Sequence, residues 1–316
     1  THGDMLPFFR RNFNRKNSIV YCHYPIALHL MECGDSDYAK ILNNTCLYTT
    51  TEKGRRLYLE AAKEAYRNMM THSTIFTNSE FSRRAILRTF GVDSIVLNPP
   101  VDTDIFRNAA LYSNIRDNSI LVVSRFHPSK KIENAIYLAR LLKQNGIDSQ
   151  MVIAGNMSPE GISYLDYLRK LAGSCGLQDF VRFETNIRFD RLLYLMRTAK
   201  VYFHPLPGEP FGISTVEAMS AGLVPVVPDI GGHTEFVPAK YQFHTFGEGL
   251  EAVARALDAP MSERVQMSHY MQKYSTSNFV KKFQQIVTKV LDIKQAVEPA
   301  PVISVKRFSE STTAAA

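Results

Sequence analysis

Two carboxylates stand eight positions apart in the run Glu209-Pro210-Phe211-Gly212-Ile213-Ser214-Thr215-Val216-Glu217. The apolar triplet Val201-Tyr202-Phe203 before it reads as a strand, and Ser214 to Ala221, closed by Gly222, reads as a short helix. Glu209 is therefore expected on a loop and Glu217 more than a turn along the helix. Between them lies a helix start, with backbone N–H groups lacking helical partners and positive dipole character. Such an arrangement suits a nucleotide sugar: N–H groups for the diphosphate, one carboxylate for sugar hydroxyls and the other for the ribose. The plainer alternative is a helix-start Glu and a solvated Glu that happen to share this spacing.

The elements that must position these groups can be read from apolar periodicity. Ser18 to Cys22 reads as a strand ending at His23-Tyr24-Pro25, and residues 55–70 carry apolar side chains at helical spacing. Thr74 to Thr77 is a strand, Asn78 or Ser79 caps a helix that Gly91 stops, and Ser94 to Leu97 is a strand broken by Pro99-Pro100. A second series begins near Ser119. Its strands are 120–123, 150–154, 181–183, 201–203 and 224–227, and helices over 133–144, 163–175, 188–198 and after Phe211 fall between them. Apolar strands alternating with amphipathic helices predict a parallel sheet covered on both faces, with its ligand at the carboxyl ends of the strands. Arg125 and the Glu209 loop both follow strands directly, so both are expected at that edge. A final helix is expected from Phe279, and beyond Glu298 the Pro, Ser, Thr and Ala composition predicts disorder.

Composition narrows the classes. With 316 residues, 45% hydrophobic and 21% charged, the chain reads as globular and long enough for two domains. No apolar run approaches the ~18–20 residues that span a bilayer. The four cysteines are scattered without metal-ligand spacing, and the nine histidines form no cluster, so no protein-held metal and no cofactor is expected. The net charge of +7 is either a solvated basic surface or an attraction to an anionic donor and an anionic membrane. The basic cluster Arg10, Arg11, Arg15 and Lys16 is accompanied by none of the usual nucleic-acid-binding motifs, so nucleic acid is not an expected partner.

Three segments carry a family resemblance. The first runs from Val201-Tyr202-Phe203-His204-Pro205 through both Glu residues and Ala218-Met219-Ser220-Ala221-Gly222 to Asp229-Ile230-Gly231-Gly232-His233-Thr234-Glu235. The second is Val122-Val123-Ser124-Arg125-Phe126 with Lys130-Lys131, and the third is Asn98-Pro99-Pro100-Val101-Asp102 with Phe106. In this order they resemble the retaining GT-B glycosyltransferases of family 4.

The resemblance implies an α/β protein of GT-B type with two Rossmann-like domains, the N-terminal one incomplete. It divides the chain into a partial acceptor-side domain (1–106), a nucleotide-sugar domain (107–275), a crossing helix (276–297) and a disordered tail (298–316). It implies transfer of a hexose from a nucleotide diphosphate sugar to a hydroxyl acceptor, without a metal. Glu209 is then the catalytic carboxylate at the donor sugar. Arg125 and Lys130, with Lys131 as the neighbouring alternative, bind the diphosphate. Backbone around Phe211, Gly212 and Ile213 approaches sugar and phosphates, and Glu217 binds the ribose. His23 resembles a family histidine that points into the cleft and counts with Glu209 as a catalytic candidate. The segment Tyr21 to Pro25 also resembles mannosyltransferases that extend lipid-linked oligosaccharides, which suggests a lipid-linked acceptor and peripheral contact at the cytosolic membrane face.

Two features depart from the family pattern. Phe183-Glu184-Thr185-Asn186 replaces its Phe-Leu-Gly turn, leaving the base open between uridine and guanosine. The opening strand and glycine-rich loop do not occur, so a lost N-terminal portion and impaired activity of the short chain are expected. Asp35-Ser36-Asp37 matches a D-x-D metal motif superficially, in a polar loop where no metal role is expected. The rival readings are a nucleotide-sugar epimerase and a non-catalytic nucleotide-sugar-binding module.

Overall fold

The computed structural model describes residues 19–24, 67–110 and 116–297, with isolated positions between 57 and 64. The Asp35 to Asp37 loop, the basic cluster at 10–16 and the tail beyond 297 lie outside the described residues. Residues through Phe279 form one compact unit and those from Val280 a second.

Among its described residues the first unit contains two parallel sheets. The smaller is ordered β1 (Ile19–Cys22), β2 (Thr74–Thr77), β3 (Ile95–Val96). Between β2 and β3 runs α1 (Glu80–Phe90), capped by Ser79, whose side chain accepts from the Ser82 N–H, and stopped by Gly91 at φ 66°. Both ends match the sequence expectation, because only a short polar side chain caps the start and a left-handed stop favours glycine.

The larger sheet comprises β4 (Asp117–Val123), β5 (Gln150–Gly155), β6 (Val181–Thr185), β7 (Ala199–Phe203), β8 (Val224–Pro228) and β9 (Gln242–Phe243). Its spatial order is β6-β5-β4-β7-β8-β9, with every pairing parallel. Successive side chains of β4 and β7 alternate between two cores: Ile120, Val122, Val201 and Phe203 in one, Leu121 and Tyr202 in the other. That period of two, buried on both sides, is the pattern of a sheet covered by helices.

One face carries α3 (Glu133–Gln144), α4 (Ile162–Ser174) and α6 (Phe246–Leu257), whose buried residues join the first core. The second core collects Phe106 of α2 (Thr103–Ala110) and Leu195 and Met196 of α5 (Phe189–Thr198). Two further helices, α7 (Met261–Tyr270) and α8 (Thr276–Val297), follow α6. The last begins three residues before the expected Phe279. Among the described residues no helix is long and apolar enough to cross a membrane.

The strand order reverses at the junction of β4 and β7: from β4 the chain proceeds outward through β5 and β6, then returns to the other side of β4 as β7. The carboxyl ends of β4 and β7 thus flank the crevice where open α/β sheets bind ligands. Arg125 and Lys130 follow β4, and Glu209 follows β7.

Candidate active site

The loop from His204 to Gly212 leaves β7 and enters the helix Ile213–Ser220, termed αS below. It is pinned along its length. Asn134 Nδ2, beside the start of α3, donates to Pro205 O at 2.9 Å. Gly208 N–H donates to Ile230 O at 2.8 Å, and Gly232 N–H donates to Glu209 O at 2.7 Å. Ser79 Oγ, at the cap of α1, lies 2.5 Å from Pro210 O. The glycine pair explains the close approach: a Cβ on Gly232 would sit 2.0 Å from Pro210 O, and one on Gly231 2.8 Å from Glu209 O.

Glu235 adds a second tie to the smaller sheet. Its two carboxylate oxygens accept from the Glu80 and Phe81 N–H groups at 3.2 and 2.8 Å. Those are orphan donors of the first turn of α1, so Glu235 extends the Ser79 cap from a distant loop.

Lys130 stands on the turn after β4, where Lys130 N–H donates to His127 O at 2.9 Å and Lys131 closes the turn at φ 50°. Of the two lysines, Lys130 is the one that reaches the β7 loop: Nζ lies 3.3 Å from Glu209 Oε2. His204 Nε2 faces the same oxygen at 3.6 Å. Burial pushes the Glu209 carboxyl up, but His204 and Lys130 outweigh it and hold it at about 2. Glu209 is therefore a carboxylate at neutral pH, able to accept hydrogen bonds from sugar hydroxyls and too weakly basic to take a proton readily.

Burial acts without opposition on Glu217 and raises its carboxyl to about 7. The two carboxylates expected to share one ligand thus differ in charge tendency, an outcome the residue types alone do not reveal. The sign of the consequence follows from linkage. The native state holds the Glu217 proton more tightly than the unfolded chain, so stability is full in the acidic carboxylate range and falls as pH rises through about 7. Glu217→Gln removes that dependence. In urea denaturation the variant gains on the parent between about pH 5 and about pH 8; a constant difference across that range contradicts the assignment.

αS starts at Gly212, φ 96°, with no side-chain cap, so its first N–H groups face the crevice end without a side-chain acceptor. The ring of Phe211 points away from that end: it is 2% exposed and packs against Phe236 and Tyr274 at centroid distances of 5.5 and 5.3 Å. Only the backbone of this donor-binding candidate is in position to serve. Ile213 is 44% exposed at the helix start. Arg125 is exposed, and its guanidinium makes no ion pair among the described residues. Arg125→Ala is expected to weaken binding of a nucleoside diphosphate and of its sugar alike, each by on the order of 10-fold for one charge-assisted contact. Calorimetry with both ligands checks this, and unchanged affinities would remove Arg125 from the site.

His23 is exposed at the end of β1 with its ring 4.8 Å from that of Tyr21. It is not one of the partners of Glu209. The histidines that do surround the carboxylate loop are His204 and His233, 5.3 Å apart between ring centroids. His233 is fully buried, with Nε2 donating to Pro228 O at 2.8 Å, and burial lowers its pKa to about 3. Both were visible within the resembling segments, but neither had been given a role. Among the described residues no group of three or more His, Cys, Asp or Glu could hold a metal ion. A cavity of about 570 Å³ adjoins the loop on the β8 side, lined in part by Pro205, Pro207, Asp229 and Ile230.

Phe183 alternates inward toward Phe126, at a centroid distance of 6.4 Å. Glu184 turns to the other face of β6, where Arg191 grips it with two bonds of 2.8 and 2.9 Å. The residue that departs from the family turn is thus paired with a helix rather than held ready for a base.

Comparison with known proteins bears on this geometry. The sequence pattern of the family described as Glycosyl transferases group 1 matches residues 108–278. A Dictyostelium discoideum protein named GDP-Man:Man(3)GlcNAc(2)-PP-Dol alpha-1,2-mannosyltransferase is 25% identical over 65% of this chain and 44% of its own length. Its Homo sapiens counterpart is 29% identical over 50% of the chain and 34% of its own length. The chain therefore spans about a third to a half of the length of these relatives. Among solved structures, sucrose-phosphate synthase from Thermosynechococcus elongatus superposes with a TM-score of 0.64 at 16% identity, covering 87% of this chain and 74% of that one. Anabaena Alr3699/HepE, in complex with UDP and glucose, gives 0.62 at 16% identity over 87% and 77%. These likenesses show the GT-B fold expected from the sequence.

Proposed function

This chain belongs to the glycosyl transferases group 1 family, and from that premise we propose that it moves an α-mannosyl group from GDP-mannose to a hydroxyl of a lipid-linked oligosaccharide, with retention at the anomeric carbon. The donor and acceptor classes are those in the names of the mannosyltransferase relatives. The observation that carries the reading is the Lys130–Glu209 pair across the switch-point crevice, beside the uncapped start of αS.

Glycosyl transfer expels a nucleoside diphosphate, so negative charge grows on the leaving oxygen while positive charge grows at the anomeric carbon. Arg125, Lys130 and the αS N–H groups receive the first; such fixed donors contribute roughly 2.7–4 kcal/mol each where they meet a developing oxyanion. Ionised Glu209 serves the second and accepts from sugar hydroxyls. Glu217 takes the ribose hydroxyls from the second turn of αS. These cations and dipoles do the work a divalent metal does elsewhere, so the proposed transfer is metal-independent. A lipid-linked acceptor places the chain at the cytosolic membrane face, where the net charge of +7 favours an anionic surface.

The test is incubation with GDP-mannose and a dolichyl-diphosphate-linked oligosaccharide acceptor, with the product read by mass spectrometry and by NMR of the new anomeric proton. One added hexose in α linkage is expected. A β linkage overturns retention. Release of an isomerised sugar without acceptor points to epimerisation, and binding without turnover points to a non-catalytic module.

A further inference from the structure

His204 follows β7 and is buried, 5% exposed. Its Nδ1 lies 3.1 Å from the hydroxyl of Tyr202, which is itself fully buried and 2.8 Å from Ser214 Oγ on the first turn of αS. Its Nε2 has no hydrogen-bond partner within normal reach and faces Glu209 Oε2 at 3.6 Å. Lys130 meets the same Oε2, and among the described residues Oε1 has no partner.

The proton positions in this row follow from the carboxylate. Ionised Glu209 accepts only, so Nε2 must carry a hydrogen toward it. In the neutral ring Nδ1 is then the acceptor and the Tyr202 hydroxyl its donor. Tyr202 in turn accepts from Ser214. Ser214 and Tyr202 thus donate in one direction, from the αS start to His204, whose Nε2–H faces Glu209 Oε2 across 3.6 Å. Burial pushes the Tyr202 hydroxyl up, which keeps its proton in place. The other groups facing His204 are consistent with this: Lys130 shares Oε2, and His233 is held neutral by burial. Without the Nε2–H, Oε2 would keep one cation on a flexible stem and the carboxyl group would be free to rotate.

We propose that His204 is a positioning residue for sugar transfer: together with Lys130 it fixes Oε2 of Glu209 and leaves Oε1 directed at the donor. This deepens the reading of Glu209 under the proposed function and rests on it. It assigns a role to a residue outside the pair of carboxylates, and it couples the start of αS, where the diphosphate binds, to the group beneath the sugar.

The experiment compares His204→Leu and His204→Gln in the full chain, alone and in a Glu209→Gln background. With GDP-mannose as donor, His204→Leu lowers kcat on the order of 10-fold, as expected when one charge-assisted polar contact to the carboxylate is lost. KM and the affinity for GDP stay near parental values. His204→Gln, which restores an N–H at the Nε2 position, recovers most of the rate. In the Glu209→Gln background His204→Leu costs little more, because the group it positions is already gone.

A second readout needs no turnover: ¹³C NMR of labelled Glu carboxyl carbons. Glu209 stays ionised down to about pH 4 in the parent and takes up its proton at higher pH in His204→Leu. Equal losses in Leu and Gln variants, or an undiminished cost in the Glu209→Gln background, overturn the proposal. So does a Glu209 titration that His204→Leu leaves unmoved. A parent chain that does not turn over GDP-mannose refutes the donor assignment instead, and the carboxyl titration still decides the role of His204.

Discussion

Glu209→Gln lowers mannosyl transfer by on the order of 10²–10³-fold while leaving GDP affinity close to that of the parent. The two halves of this result have separate causes. In the proposed arrangement Glu209 faces the sugar, so a nucleotide without a sugar is not expected to meet it. The amide keeps the size and one acceptor oxygen but cannot bear the charge that Lys130 and His204 stabilise at 3.3 and 3.6 Å. The carboxyl is held near 2, so the lost group is an anion at every pH of interest. A general base would show its own protonation as an acid limb near neutrality; this carboxylate contributes none. Steady-state rates over a pH series, with calorimetric GDP binding on the same preparations, check both halves. A matched loss of GDP affinity would move Glu209 from the sugar to the nucleotide.

Gly232→Ala removes transfer almost completely without touching any group that meets the donor. The new Cβ would sit 2.0 Å from Pro210 O and 2.9 Å from Phe211 Cα, both backbone positions that a rotamer change cannot relieve. The loop must therefore move, and it carries Glu209 at its centre. The Gly232 N–H bond to Glu209 O, 2.7 Å long, is lost in the same displacement. Overpacking of a tight site costs about 1–3 kcal/mol, so the melting temperature falls while most of the fold survives. Gly247→Ala is the control, because a Cβ there meets only the Thr245 hydroxyl at 3.9 Å. Parental transfer by Gly232→Ala would mean that the loop does not have to hold its observed course.

The larger sheet was legible because its signals are local. Apolar runs of four to six residues separated by amphipathic helices name their own elements, and the strands after Ser119 fall within a few residues of their expected bounds. Arg125 and the Glu209 loop at strand ends followed from the same reading, whereas Lys130 came from the family resemblance. Other features were visible but unread: Thr245 and Glu248 form a capping box at the start of α6, and Pro260 stands at the start of α7. α2 was not read from the sequence, since its eight residues carry too few apolar positions to show a period.

The rest of the site depends on contacts between distant segments. Nothing in the neighbourhood of Glu235 says that it will accept from Glu80 and Phe81, some 155 positions away. Nothing near His204 says that Glu209 will turn back toward it. The placement of the Phe211 ring was not readable for the converse reason. An aromatic beside a glycine at a helix start suggests a ligand platform, whereas burial against Phe236 and Tyr274 makes it part of the core. The opposed fates of the two carboxylates were equally hidden, because spacing says nothing of desolvation.

The proposed function requires a nucleoside diphosphate at the β4–β7 switch point with its ribose on Glu217. Calorimetric titration of GDP into the parent chain and into Glu217→Ala tests it most directly. The parent is expected to bind with one site per chain, and Glu217→Ala to bind on the order of 10-fold or more weakly, as one carboxylate-to-hydroxyl contact is lost. Equal GDP affinity in the two proteins would contradict the placement of the ribose and with it the orientation of the donor.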